Sequence, residues 1–157
     1  MKINLSKLFP SLALPLVVGF GSGLLSMGNT REYFELLSKP PLSPPPWVFG
    51  PVWTVLYLMI GLSLYTFWQS RAKAEAKKTG YLFFILQMVA NFFWSLFFFG
   101  LENPLLGLIN ILLLDLLVIG NIYFFSRLSR PAAWLLIPYL LWICFASYLN
   151  LAIVLLN

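Results

Sequence analysis

The sequence predicts an all-α integral membrane protein, a bundle of five transmembrane helices. Both its composition and its charge pattern indicate this fold class. Of 157 residues, 61% are hydrophobic and 10% are charged, whereas a soluble globular domain carries about 25% charged residues. Five long stretches are free or nearly free of charge, and each can supply the roughly 20 apolar residues that a membrane-spanning helix needs. Almost nothing is left for a soluble domain, so we expect one transmembrane domain over residues 1–157.

The five predicted spans follow closely on one another, except after the first. They lie at about residues 8–28, 47–70, 79–101, 104–126 and 131–156. The first apolar run is longer than the roughly 7 to 15 residues of a signal-peptide core and has no A-x-A cleavage pattern. We therefore expect it to be retained as a true helix.

The connection at residues 29–46 is too long and too apolar for a simple turn. Its segment TREYFELLS predicts a short helix that Thr30 can cap. Pro40 and Pro41 end this helix, because proline lacks the backbone donor and disfavours helix in the preceding residue. Pro51 is expected near the start of the second span, where a missing donor costs least. Long connections of this kind are often binding loops, so we expect a pocket lid.

The basic residues predict the orientation. Of ten Lys and Arg residues, only Arg31 and Lys39 fall on the side opposite the amino terminus. The positive-inside rule therefore places the amino terminus and the loop at residues 71–78 in the cytoplasm, and we expect a bacterial cytoplasmic membrane. This topology accounts for the net charge of +5 without a nucleic-acid partner. Binding of membrane lipid headgroups to the basic loop stays open.

The residue inventory excludes several kinds of chemistry. With no histidine and one cysteine, Cys144, an intrachain disulfide and a Cys/His zinc site are excluded, and we expect neither a metal nor a resident cofactor. Cys144 itself is expected to be a small buried residue. There is no Ser-His-Asp set, phosphate-binding loop or dinucleotide-binding motif, so hydrolase, kinase and dehydrogenase functions are not supported.

Two tryptophans lie where an interfacial aromatic belt does not explain them. Trp53 directly follows a proline-rich segment and has Tyr57 one turn further on. Trp142 lies in the middle of the last span, with Ala146 and Leu149 on the same helical face. Each helix thus presents a flat ring beside smaller residues, a surface suited to a flat, largely apolar ligand.

The third span carries a polar face formed by Gln87, Asn91, Trp94 and Ser95. These side chains should turn towards the bundle interior, because lipid cannot satisfy their hydrogen bonds. Two roles stay open for them: hydrogen bonding between helices and contact with a ligand.

Asp115 is the one carboxylate inside a predicted span. A charge at this depth costs about 2.5 to 3.5 kcal/mol on insertion scales and by default suggests a functional site. No basic residue lies at matching depth to pair with it. We expect either a structural role, hydrogen bonded to Asn110, Asn121 or the backbone of another helix, or a role in proton transfer.

The first span contains a G-x-x-x-G pair at Gly19 and Gly23. Such a pair permits close approach of another helix. Packing within the bundle and a homodimer contact are both open.

Four segments resemble, in order, the tryptophan-rich sensory protein (TspO) and translocator protein family, also known as the peripheral benzodiazepine receptor family. They are KPPLSPPPWVFGPVW at 39–53, NFFWSLFFFG at 91–100, DLLV at 115–118 and SRPAAWLLIPYLLWICFASYLN at 129–150. The resemblance implies a five-helix bundle, often a homodimer, with a pocket that opens towards the first loop. The pocket positions of the family fall on Phe49, Val52, Trp53, Asn91, Trp94, Trp142, Ala146 and Leu149.

The resemblance also implies a function. Members bind protoporphyrin IX and other tetrapyrroles, as well as isoquinoline carboxamide and benzodiazepine drugs, so we expect a membrane receptor or binding protein coupled to transport or stress signalling. One alternative is light- and oxygen-dependent porphyrin degradation in which Trp53 and Trp142 are catalytic. Another is a structural or assembly protein whose rings only pack.

Three departures from the family pattern concern the lid and the end of the last span. Leu42 and Tyr33 stand where relatives often carry tryptophan. No Lys or Arg follows Asn150, so the sterol motif of animal members is incomplete.

Overall fold

The structure is a computed structural model that describes residues 3–26 and 30–157, and within these ranges it is helical with no strand. Seven α-helices occur in the order α1 (Leu5–Ser26), α2 (Thr30–Leu36), α3 (Pro46–Trp68), α4 (Ala74–Ser95), α5 (Pro104–Leu128), α6 (Arg130–Leu135) and α7 (Ile137–Leu156). A π-helical turn at Leu96–Gly100 continues α4. Five segments are long and apolar enough to cross a membrane, which confirms the predicted fold class: Leu5–Ser26, Pro46–Trp68, Ala74–Gly100, Pro104–Leu128 and Arg130–Leu156.

The helices begin earlier than the apolar runs that predicted them. The first starts at Leu5 rather than residue 8, and the third starts at Ala74 rather than residue 79. A charged residue ends a hydrophobic run but does not interrupt helical hydrogen bonds, as the bond from the Leu8 amide to the Asn4 carbonyl illustrates at 3.0 Å. The predicted end of the first span at residue 28 lies outside the described residues.

Proline and asparagine set several helix boundaries. Pro46 takes the first position of α3, and Pro51, predicted near the start of this helix, lies inside it. Pro104 likewise begins α5, where the Asn103 side chain accepts a hydrogen bond from the Leu106 amide at 2.9 Å. The fifth span is divided between α6 and α7 because Pro138 cannot donate a backbone hydrogen bond to the preceding turn.

The predicted short helix between the first two spans is α2. The side chain of Thr30, which was expected to cap it, lies outside the described residues.

The bundle core consists of aromatic and aliphatic side chains from α3, α4, α5, α6 and α7. Phe67 of α3 stacks on Phe125 of α5 with centroids 3.8 Å apart, and a Cβ at Gly80 of α4 would lie 2.6 Å from the Phe67 ring. Gly61 brings α3 against the α1 backbone, where an added Cβ would lie 2.7 Å from the Ser11 carbonyl oxygen. The spans are therefore in close contact, which holds the site described next between α3, α4 and α7.

Candidate functional site

Aromatic rings converge beneath α2, where α3 begins and α4 ends. Trp53 stacks on Tyr57 with centroids 5.4 Å apart and an interplanar angle of 26°. Its ring also contacts Trp94 at 6.3 Å and Tyr139 at 6.2 Å. Trp53 thus belongs to one group of rings from α3, α4 and α7, which we call the Trp53 group: Trp53, Tyr57, Trp94 and Tyr139.

A chain of buried hydrogen bonds supports the Trp53 group. The Tyr57 hydroxyl donates to Asn91 Oδ1 at 2.9 Å, and Asn91 Nδ2 donates to the Tyr139 hydroxyl oxygen at 3.1 Å. The Tyr139 hydroxyl in turn donates to Gln87 Oε1 at 3.1 Å. The polar face of the third span therefore turns inward as predicted, and Asn91 joins α4 to α3 and α7. Gln87 Nε2 is buried without a protein partner.

The π-helical turn shapes the end of α4 next to this group. Within the turn, Phe98 is buried and stacks on Trp94 with centroids 5.7 Å apart. Trp94 Nε1 donates to Asn150 Oδ1 at 3.2 Å, and Asn150 Nδ2 donates to the Pro104 carbonyl oxygen at 2.7 Å. Asn150 thereby ties α7 to α4 and to the start of α5. Single π turns occur frequently at functional sites.

A small cavity lies beside Trp94. Its volume is about 30 Å³, room for about one water molecule, and its walls come from Phe49, Trp94, Phe98, Ala146, Leu149, Asn150 and Ile153. Four of the predicted site residues line it: Phe49, Trp94, Ala146 and Leu149. Tyr57 and Asn91 lie instead in the hydrogen-bonded core.

Trp142 lies apart from the Trp53 group. Its ring contacts Phe49 at 5.9 Å and Phe145 at 5.8 Å, and its Nε1 is buried without a protein partner. Val52, the last predicted site residue, is partly buried and packs on the core. The two tryptophans of the proposed chemistry are thus in separate groups of rings, and Phe49, which contacts Trp142, lines the cavity together with Trp94.

A covering layer, formed by α2 and residues 37–45, closes the site. Phe34 contacts Phe49 at 6.2 Å and Phe99 at 6.2 Å, and Tyr33 contacts Phe98 at 6.2 Å. Burial raises the pKa of the Tyr33 hydroxyl, and the nearby Glu102 carboxylate raises it further. Contacts between aromatic rings therefore hold this layer on the site.

Asn157 fastens the covering layer to the end of α7. The Ser38 amide donates to Asn157 Oδ1 at 2.9 Å, and Asn157 Nδ2 donates to the Ser38 carbonyl oxygen at 3.2 Å. Leu42, in the same layer, is 66% exposed.

Several residues of this region were not predicted as site residues, among them Tyr139, Phe34, Phe98 and Asn150. Phe98 lies in the quoted run NFFWSLFFFG, but a regular α-helix would give its phenylalanines different faces from those of the π-helical turn. Asn150 could have been predicted from the sequence, because an amide inside an apolar span must form hydrogen bonds within the protein.

Asp115 and Cys144 differ from the prediction. Asp115 accepts a hydrogen bond from Ser147 Oγ at 2.7 Å and a weak one from Cys144 Sγ at 3.9 Å, both on α7. Asn121 is not its partner, because Asn121 Nδ2 donates to the Gly80 carbonyl oxygen at 3.2 Å. Cys144 is exposed rather than buried, since it lies on the outer side of the α5–α7 contact.

Several known proteins are similar in sequence to this chain over most of its length. The chain is 42% identical to the tryptophan-rich protein TspO of Archaeoglobus fulgidus, with 99% of both chains covered. It is 40% identical to the tryptophan-rich protein TspO of Chlorobaculum tepidum, over 93% of this chain and 92% of that one. The translocator protein of Bos taurus is 31% identical over 87% and 82% of the two chains.

A family model agrees with these relatives. The model described as TspO/MBR family matches residues 11–156. The resemblance of the sequence motifs is thereby confirmed, and the chain is an integral, multi-pass membrane protein that belongs to the TspO/MBR family, which supports a role as a membrane receptor or binding protein.

Proposed function

We propose that the protein binds tetrapyrroles such as protoporphyrin IX, and similar flat hydrophobic ligands, at the Trp53 group and the cavity beside it. The observation that carries this proposal is the stacking of Trp53 on Tyr57 within 6.3 Å of Trp94 and Tyr139. Aromatic faces favour offset stacking with another flat ring system. Isoquinoline carboxamide and benzodiazepine compounds are proposed as ligands of the same site.

Binding requires the covering layer to open. The cavity holds about 30 Å³, whereas pockets for drug-sized ligands measure about 300 to 1,000 Å³. Phe34 and Phe49 contact each other above the cavity, so a ligand that enters from this side must separate them. A ligand would exchange these ring contacts for contacts with its own π-system, which limits the cost of opening.

The test is a titration of the detergent- or nanodisc-embedded protein with protoporphyrin IX in the dark, followed by fluorescence quenching. The Trp53→Ala, Trp142→Ala double variant should bind about ten-fold more weakly or worse, since each lost ring contact is worth about 0.5 to 1.5 kcal/mol and 1.4 kcal/mol is ten-fold in affinity. Trp134→Ala is the matched control, because Trp134 is 72% exposed in α6, near the opposite end of the bundle. Equal affinity of the double variant and the control would refute the site. An absence of saturable binding in the wild type would favour the structural alternative.

A second candidate function is photo-oxidative porphyrin degradation. The observation that favours it is the close spacing of oxidisable rings around Trp53, three of them within 6.3 Å. An illuminated arm of the same titration separates turnover from binding. A defined product that disappears in Trp53→Phe and Trp142→Phe variants supports catalysis, and bleaching at the rate of free porphyrin in buffer excludes it.

We also propose the arrangement in the membrane. The amino terminus and the loop at residues 71–78 lie in the cytoplasm of a bacterial cell, with the covering layer outside the cytoplasmic membrane. The asymmetry of basic residues supports this orientation.

The chain is proposed to form a homodimer, and the open space beside Gly23 of α1 supports that helix as a contact surface. Transport or stress signalling coupled to the bound ligand completes the proposal.

A further inference from the structure

A polar cluster lies halfway through the membrane, outside the aromatic site. It consists of Asp115 of α5 with Ser147 and Cys144 of α7, at the contact between these helices. Ser147 is buried, Asp115 is half-buried and Cys144 is exposed. Exposed apolar residues surround the cluster on both helices, namely Leu112, Leu116, Leu141 and Tyr148. The surface on which the cluster opens therefore faces lipid.

No cation reaches this carboxyl group within the part of the chain that the structure describes. Arg127 follows Asp115 by twelve residues in α5, which is about 18 Å along the helix axis. Lys77 is engaged near the end of α3, where its Nζ donates to the Trp68 and Ser70 carbonyl oxygens at 2.9 and 2.8 Å.

In the part of the chain that the structure describes, the titratable groups close to Asp115 are both on α7. They are the thiol of Cys144 and the phenol of Tyr139. From α4, two amides, Asn91 and Gln87, are hydrogen bonded to Tyr139, each at 3.1 Å. None of these groups is a counter-ion, so an ionised Asp115 would be an unpaired charge in hydrocarbon, the most costly state available to a carboxyl group there.

We propose that Asp115 is a proton-binding site open to the lipid, and that it carries its proton at neutral pH. The contact with Ser147 suits the neutral acid, because a hydroxyl group both donates and accepts. A protonated Oδ2 can donate to Ser147 Oγ across the observed 2.7 Å, while the serine hydrogen turns to the carbonyl one helical turn earlier. Cys144 continues to donate weakly to Oδ1. The proposal does not depend on tetrapyrrole binding.

The first experiment uses a hydrophobic carbodiimide on the full chain in phosphatidylcholine nanodiscs at neutral pH. The carboxylic acid adds across one N=C bond: its oxygen bonds to carbon, its proton passes to nitrogen, and the adduct rearranges to a stable N-acylurea without oxidant or leaving group. Mass mapping in a Cys144→Ala background should find the label on Asp115. Glu75 is the internal control, because its side chain is 79% exposed and paired with Lys78 at 2.9 Å; it should stay unlabelled.

The second experiment detects the proton directly. Asp115 is the one aspartate in the sequence, so isotope-labelled aspartate reports this group alone, without mutation. At neutral pH the infrared spectrum should contain an isotope-shifted carboxylic-acid C=O band, which moves to higher frequency in Ser147→Ala because a hydrogen bond is lost. A carboxylate band in its place would overturn the proposal, whatever the carbodiimide result. An acid band together with a lack of carbodiimide labelling at Asp115 would overturn the proposal that this carboxyl group is accessible from the lipid.

Discussion

Asn91 connects three helices through one amide group. Its Oδ1 accepts from Tyr57 of α3, and its Nδ2 donates to Tyr139 of α7. Tyr57 is also the stacking partner of Trp53. Because all three hydrogen-bonding side chains are buried, loss of the amide removes the acceptor of the Tyr57 hydroxyl and the donor to the Tyr139 hydroxyl, which keeps its bond to Gln87. Asn91 therefore stabilises the bundle and positions the wall of the proposed ligand site.

We predict that Asn91→Leu lowers the free energy of unfolding by about 1 to 3 kcal/mol, the usual cost of an unsatisfied buried polar group. Asn110→Leu is the matched control: it is an amide in a neighbouring span whose buried Oδ1 has no hydrogen-bond partner among the described residues, so its replacement should cost less than that of Asn91 or be neutral to stabilising. Reversible unfolding in mixed micelles measures both. Equal effects of the two substitutions would contradict the role assigned to the hydrogen-bonded chain.

The covering layer is the element on which access to the site depends. The ring of Phe34 contacts both Phe49 and Phe99, and Phe99 belongs to the π-helical turn. On the other side, the Asn157 amide holds the Ser38 backbone by two hydrogen bonds. This polar contact crosses from the loop to the end of α7, whereas the contacts between aromatic rings are apolar and can be replaced by contacts with a flat ligand.

Asn157→Ala is expected to loosen the covering layer. Loss of two hydrogen bonds of about 1 kcal/mol each should speed amide hydrogen exchange at Ser38 and its neighbours roughly 5- to 30-fold, with no change in α4. Leu42→Ala, at an exposed position of the same segment, should leave exchange unchanged. Hydrogen exchange followed by mass spectrometry measures this directly. Unaltered exchange in Asn157→Ala would show that the ring contacts alone hold the layer.

At the scale of the whole molecule, glycines decide how closely α1 approaches the other spans. A Cβ at Gly19 would overlap the Tyr57 ring, while no atom of the described residues lies within 4 Å of a Cβ at Gly23. The two members of the G-x-x-x-G pair therefore differ. Gly19 packs within the bundle, against the residue that supports Trp53, and Gly23 leaves open space on the α1 surface.

We predict opposite effects for alanine at these two positions. Gly19→Ala should destabilise the fold by about 1 to 3 kcal/mol through overpacking and should weaken porphyrin binding, because Tyr57 must move. Gly23→Ala should be neutral or stabilise by up to about 1 kcal/mol, the helix-propensity gain of alanine over glycine. Unfolding measurements on the two variants test the assignment, and equal destabilisation would contradict it.

Much of the fold follows from local properties of the chain. The lengths of the apolar runs predict five spans, and the prolines at positions 45, 46 and 104 lie where α3 and α5 begin. Helical periodicity places Gln87, Asn91 and Trp94 on one inward face without knowledge of any neighbour. These features are determined by the sequence itself, because hydrogen bonding within a helix and burial in lipid act over one or two turns.

The arrangement of the site depends on contacts between helices, and these contacts cannot be predicted from a local sequence pattern. Tyr57 and Asn91 lie in the hydrogen-bonded core. Trp142 contacts Phe49 and is separate from the Trp53 group. Asp115 is hydrogen bonded to Ser147 of α7 and not to an amide of its own helix. Periodicity reports which face of a helix a residue occupies, but not its distance from a residue on another helix. That distance depends on the close packing of helices at small residues such as Gly19 and Gly61. Only the tertiary structure therefore determines which side chains are in contact and how small the cavity between them is.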